Sequence, residues 1–284
     1  MMTGFLVFIM AFGWLIAYIW QVPEIFVFAI VLSFLFNIFA YWQSDKIALA
    51  MSGAKAIPRE GNEYVYRMVE NLSITAGLPM PRMYLIDSPQ INAFATGRDP
   101  KHAAVAVTTG AIQKLQNEEL EGVLAHELSH IGNRDILIST VIVVMAGMIA
   151  ILSDIILRAT FYGSFGRSRD DRGGGGAVIM VVGLLAAILA PIAAMLIQLA
   201  VSRKREFLAD ASGVMLTRYP DGLANALQKI GNDQSTMRFA HNGTAHLFIA
   251  NPFKGREALN WFAKLFSTHP PVEDRIKILR DMKP

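Results

Sequence analysis

Two histidines four residues apart, His126 and His130, enclose Glu127 in the string HELSH. On a helix, residues i and i+4 share a face, so both imidazoles point at one spot and can grip a single metal ion. Glu127 sits beside that face, in reach of a metal-bound water and placed to take its proton. This spacing describes a zinc hydrolase with its general base in place. The alternative is coincidence on an ordinary helix, and with six histidines in the chain such a pattern arises by chance on the order of once in a hundred chains. Asn117, Glu118 and Glu119 offer a cap and an acidic first turn ahead of Leu120, Val123 and Leu124, which predicts a helix from about Asn117 to Asn133.

Catalytic zinc keeps three protein ligands and a water. The chain has no cysteine, so the third ligand must be His, Asp or Glu. An HExxHxxGxxH site would need glycine at 133 and histidine at 136, where this chain has Asn133 and Ile136. About twenty residues past the motif only Asp154 is available; the glutamates beyond are Glu206, Glu257 and Glu273. Glu206 precedes Asp210 by one helical turn in a helical pattern carried by Phe207, Leu208, Ala211, Val214 and Met215. A Glu ligand with Asp210 nearby makes chemical sense, because the Asp can accept the free N–H of a metal-bound imidazole and fix its tautomer. An isolated ExxxD would otherwise be read as a surface helix.

The rest of the chain reads as a membrane protein. The chain of 284 residues is 53% hydrophobic and 17% charged, against about 25% charged in a soluble domain. The net charge of +3, with no basic stripe interleaved with aromatics, gives no sign of nucleic-acid binding. Four apolar runs stand out: 1–20, 25–43, 136–153 and 173–202, each long enough or nearly so to span a bilayer. The first lacks a basic n-region and leads directly into the second, which argues for a hairpin over a signal peptide. The expected organisation is a transmembrane hairpin at 1–43, a first catalytic part with the HExxH helix at 44–135, a second membrane hairpin at 136–202, and a second catalytic part with the third ligand at 203–284.

Neither polar part carries a complete metal site, so the two form one interrupted domain, mainly α with a small β-sheet. Glu60 to Gly77 reads as a helix; Arg82 to Asp87 and His102 to Thr108 read as strands, with a turn at Gly97 to Pro100. Gly173 to Gly176 is a flexible loop. The basic residues Arg203-Lys204-Arg205 and Lys46, Lys55 and Arg59 argue for polar parts that face the cytoplasm. The loop between the third and fourth runs is basic too, so that hairpin is either shallow or keeps a basic loop outside. His126 precedes the third run by ten residues, ~15 Å of helix, and Glu206 follows the fourth by four. The metal should therefore lie near the membrane surface, which suits substrates that are membrane proteins or unfolded segments drawn from the bilayer.

HELSHIGNRD, EFLADASG, STHPPVEDRI and NAFATG at Asn92 to Gly97 together resemble the HtpX family of membrane-bound zinc metalloproteases, relatives of the CAAX prenyl protease. The resemblance covers nearly the whole chain. It implies a gluzincin-type peptidase, multi-pass in the bacterial inner membrane, with a cytoplasmic active site and one Zn²⁺ per chain. It would degrade misfolded or damaged membrane proteins in the stress response. His126, His130 and Glu206 would be the ligands and Glu127 the base. By the same resemblance His269 lies near the metal, where it could stabilise the oxyanion or block the site as a fourth ligand; otherwise it is a loop residue before a helix. Arg275 could pair with a carboxylate around the site or form a structural salt bridge. Asn92, Ala93 and Phe94 could be an edge strand taking the substrate backbone, or an interior strand. His241 and His246 read as surface residues and His102 as flanking a strand. The rivals are a prenyl-protein protease, expected to have more spans, and a scaffold or transporter with a structural metal. Transport would want ionisable groups within the spans, where only Asp154 and Gln198 stand out.

Overall fold

The computed structural model describes residues 2–142, 144–145, 203–237, 247–249 and 270–282. Helices α1 (Met2–Trp20) and α2 (Glu24–Met51) form the expected N-terminal hairpin. They reverse at Gln21, whose φ is 57. The helices approach so closely at Gly13 that a Cβ there would run into the Cβ of Ala29. Ala29, Ser33, Asn37, Ala40, Ser44 and Ala48 form the buried stripe of α2, at helical spacing. Its other faces expose Val27, Phe28, Val31, Phe34, Leu35, Ile38 and Phe39, as a helix solvated by lipid would. Among the described residues, α2 is the helix long and apolar enough, by length and composition, to cross a membrane.

The apolar run ends at residue 43, yet α2 continues to Met51. Nothing between Gln43 and Met51 breaks a helix, and buried Asp45 holds Arg82 at 2.6 Å. The boundary drawn at 43 thus falls inside one continuous helix that runs on to the sheet.

The sheet contains β1 (Lys55–Ala56), β2 (Arg82–Ile86), β3 (Ala93–Thr96) and β4 (Ala104–Thr108), in the order β1-β2-β4-β3. The two expected strands, β2 and β4, pair in parallel at the centre, Arg82 opposite Ala104. β3 runs antiparallel to β4 on the edge, Ala93 opposite Val107. A 3₁₀ turn at Pro100–His102 connects them, with Asp99 accepting from His102. All five residues of β4 are buried, so both faces of the sheet are covered. Val105 and Val107 face the main core with Ala93 and Ala95, while Ala104, Ala106 and Phe94 face a smaller cluster with Ala48 and Leu49 of α2 and with Leu247 and Phe248.

The main core lies between the sheet and α3 (Glu63–Ala76), α5 (Asn117–Gly132) and α7 (Pro220–Asn232). Each Leu or Ile buried there contributes about 1.5–3 kcal/mol; Leu120, Leu124, Leu128 and Ile131 of α5 are fully enclosed. α4 (Thr109–Lys114) leads into α5. The cap of α5 sits one residue earlier than expected. Gln116 is the N-cap and Glu119 reaches back to its N–H at 2.7 Å, while Lys229 of α7 steadies Glu119 at 2.7 Å. Residues 135–142 and 144–145, in the third apolar run, are helical. α6 (Arg203–Thr217) and α8 (Val272–Asp281) complete the described elements, the latter being the helix expected after His269-Pro270-Pro271. Half of the third run and all of the fourth, with Asp154, Gln198, His241 and His246, lie outside the described residues.

Candidate metal centre and active site

α6 lies directly on α5, and Gly213 permits this: a Cβ there would meet the backbone N of His126 at 3.1 Å. The crossing brings Glu206 over the two histidines. One donor atom each from His126, His130 and Glu206 fall within 4.8 Å of one another. His126 Nε2 and His130 Nε2 are 3.2 Å apart. Glu206 Oε2 is 3.8 Å from His126 Nε2, and its Oε1 is 3.6 Å from His130 Nε2. Two bonds of about 2.0–2.1 Å at the tetrahedral angle would put their donor atoms about 3.3–3.4 Å apart. The three side chains therefore fit a tetrahedral ion with one position left open. Two imidazoles and one carboxylate suit zinc, while magnesium and calcium prefer all-oxygen sets.

Charge points the same way. Glu127, Glu206 and Asp210 are buried, and so is Arg275, so three carboxylates face one guanidinium and a dication would balance the excess. Arg275 Nη2 and Nε donate to Asp210 at 2.6 and 2.8 Å, and Nη1 lies 3.8 Å from Glu206. Asp210 Oδ1 is 2.9 Å from His126 Nδ1. Burial alone would raise the Asp210 carboxyl, but the Arg275 charge and the hydrogen bonds to His126 and Arg275 bring it down to about 2. Ionised Asp210 accepts the Nδ1–H of His126 and leaves the Nε2 lone pair facing Glu206 and His130. Burial is the main cause that lowers the His126 pKa, keeping its imidazole neutral as a ligand must be.

Glu127 is 2% exposed. Burial raises its carboxyl to about 7, with Glu206 adding to the rise, while His130 and a hydrogen bond from the Ala95 backbone oppose it. A carboxylate poised there can both accept and return a proton near neutral pH. His130 behaves differently from His126. Burial would lower its pKa, but the hydrogen bond to Asp135 and the charges of Glu206 and Glu127 carry it up to about 9. Asp135 Oδ2 is 3.2 Å from His130 Nδ1, a partner the motif spacing did not reveal; an acid five residues beyond the second histidine was the signal available.

β3 is an edge strand beside this site, since Ala95 backs Glu127. Its outward carbonyl at Ala93 accepts from Ile249 N–H at 3.1 Å. Asn92 is fully buried, with Nδ2 donating to Gln90 at 3.3 Å. Phe94 points to the opposite face of the sheet and packs edge-on against Phe248 at 5.1 Å. At its other end β3 meets α2 and the helical stretch that opens at Asp135. Thr96 and Thr140 share a hydroxyl bond of 2.9 Å, and Arg98 lies over the Trp42 ring at 4.6 Å. His102 sits in the turn, bound to Asp99 at 2.8 Å and away from the site. His269 lies outside the described residues.

The model of the peptidase family M48 matches residues 59–283. A protein described as "Protease HtpX homolog" from Thermoanaerobacter pseudethanolicus is 49% identical over 87% of this chain and 81% of its own length. One of the same description from Thermococcus kodakarensis is 48% identical over 93% of this chain and 89% of its own. Among solved structures, S. mikatae Ste24p superposes with a TM-score of 0.53 at 18% identity. That match covers 95% of this chain and 62% of Ste24p, and shows a shared fold.

Proposed function

We propose that this chain, which belongs to peptidase family M48 and is a membrane metalloprotease, uses one zinc ion to hydrolyse peptide bonds within misfolded or damaged membrane proteins. The setting we infer is protein quality control under stress, in a bacterial inner membrane, with four spans and the active site on the cytoplasmic side. The observation that carries this reading is the meeting of His126, His130 and Glu206 within 4.8 Å of one another, with Glu127 enclosed beside them.

Bound by these three residues, zinc would supply Lewis acidity to the attacking water and to the scissile carbonyl. Glu127 takes the proton of that water and returns it to the leaving amine. Asp210 holds His126 in the tautomer that presents Nε2, and Arg275 keeps Asp210 ionised. Arg275 donates Nε and Nη2 to Asp210 and acts chiefly through that carboxylate. The edge of β3 at Asn92, Ala93 and Phe94 takes the substrate backbone by strand addition. A substrate N–H then replaces that of Ile249 at the Ala93 carbonyl, while the Phe94 side chain supports the strand from behind. By the family resemblance, His269 would either stabilise the oxyanion or block the site as a fourth ligand.

A prenyl-protein protease shares the Ste24p-like fold, but the family resemblance runs to HtpX-type chains at nearly 50% identity. A scaffold would have no use for a buried carboxylate beside the ligands. The test is cleavage of an unfolded protein by detergent-purified chain in zinc, with Glu127→Gln beside it. Expected is a loss of at least about a hundredfold with zinc content unchanged. Wild-type cleavage by Glu127→Gln would remove Glu127 as base, and a wild type without cleavage or zinc would remove the peptidase reading.

A further inference from the structure

The second zinc-facing histidine has a carboxylate of its own, on a different element from the first. Asp135 follows His130 by five residues, a spacing that on one continuous helix would turn it well away from His130. It returns because the helix does not continue. α5 ends at Gly132, Arg134 takes a left-handed backbone at φ 61, and a new helical stretch opens at Asp135. A left-handed arginine costs on the order of 1–3 kcal/mol and persists only where its surroundings hold it. The reversal sets Asp135 Oδ2 at 3.2 Å from His130 Nδ1. The other oxygen, Oδ1, faces Arg205 Nε at 3.8 Å. Arg205 is the neighbour of Glu206, so this one carboxylate touches a side chain next to the third ligand as well as the second ligand itself.

We propose that Asp135 is a positioning residue for His130, fixing the tautomer that presents Nε2 to the metal, and that its pairing with Arg205 joins, at the ligand, the two stretches that flank the third and fourth apolar runs. This rests on reading His130 as a metal ligand. An Nδ1–H donated to Asp135 leaves the lone pair on Nε2 and makes it a stronger donor. Asp135 opens the helical stretch that enters the third apolar run, and Arg205 lies just beyond the fourth. A shift of either stretch relative to the other would therefore move the imidazole.

The test uses the full-length, zinc-loaded chain in detergent and measures the rate at which a chelator strips the metal. Asp135→Ala should lose zinc about 10–100 times faster than wild type. Asp135→Asn, which keeps an acceptor oxygen, should fall between, and Arg205→Gln should change the rate in the same direction by less. Two readouts separate positioning from mere folding. The unfolding temperature of the zinc-stripped Asp135→Ala chain should stay near that of stripped wild type, while the visible bands of its cobalt form shift. Wild-type zinc retention by Asp135→Ala overturns the assignment alone. So does faster loss that tracks an equal fall in stripped-chain stability without recovery in Asp135→Asn. A wild-type chain that retains no zinc overturns both this inference and the metal reading beneath it.

Discussion

The two imidazoles that face Glu206 are held by clamps of unlike build. Behind His126 stands Asp210, itself gripped by Arg275, and all three side chains are no more than 1% exposed. Behind His130 stands Asp135 with Arg205, where the exposures are 18%, 12% and 24% and the ion pair is stretched to 3.8 Å. The inner clamp belongs to the domain core, where α5, α6 and α8 meet. The outer clamp lies where the helical stretch opening at Asp135 meets the start of α6. Coulombic attraction is strong and unscreened in the first setting and weak in the second. One imidazole is thus set by the packed core of the domain, and the other by the meeting of the stretch that opens at Asp135 with the start of α6.

Removing one cation from each clamp should separate the two most clearly. Arg275→Met leaves Asp210 and Glu206 buried without their counter-charge, and should cost about 3–5 kcal/mol of stability in denaturant unfolding. Arg205→Gln should cost less than about 1 kcal/mol. Equal losses would erase the distinction.

Acid should sharpen it further. The Asp210 carboxyl is lowered from 3.8 to about 2 in the folded chain. A depressed acid contributes stability that is present above the unfolded value, near pH 4, and is lost as pH falls toward 2. The shift corresponds to about 2 kcal/mol. Denaturant midpoints measured from pH 5 to 2 should show that fall, and Arg275→Met should largely flatten it. The smallest effect concerns the turn feeding the outer clamp. Arg134→Gly relieves the left-handed strain at an entropic cost, so stability should change by less than about 1 kcal/mol. Arg134→Val should be about 1–2 kcal/mol less stable than Arg134→Gly, because a β-branched side chain tolerates that backbone poorly.

The inner clamp was largely legible in the sequence and the outer one was not. His126, Glu127, His130, Glu206 and Asp210 stand at spacings that helical periodicity alone relates, so pairing HExxH with a later ExxxD located one side of the site. Arg275 was visible only as a residue in a resembling phrase. Its full burial follows from α8 packing against α6 and α7, a tertiary fact with no local signature. Asp135 escaped because its position depends on one left-handed residue, which the sequence marks with an arginine where glycine or asparagine would have signalled a turn. Strands β2 and β4 were readable from apolar runs between turn residues, whereas the short β1 depends on pairing with β2. The apolar run to residue 43 did not show where α2 ends, because hydropathy tracks apolar exposure while the helix itself runs on to Met51.

The most direct test of the metal centre is zinc K-edge absorption on the purified full-length chain, with zinc counted per chain. One zinc is expected, with two imidazoles and oxygen ligands at about 2.0–2.1 Å and no sulfur, losing one oxygen ligand in Glu206→Ala. A chain without zinc, or a coordination shell unchanged by Glu206→Ala, would contradict the site built from His126, His130 and Glu206.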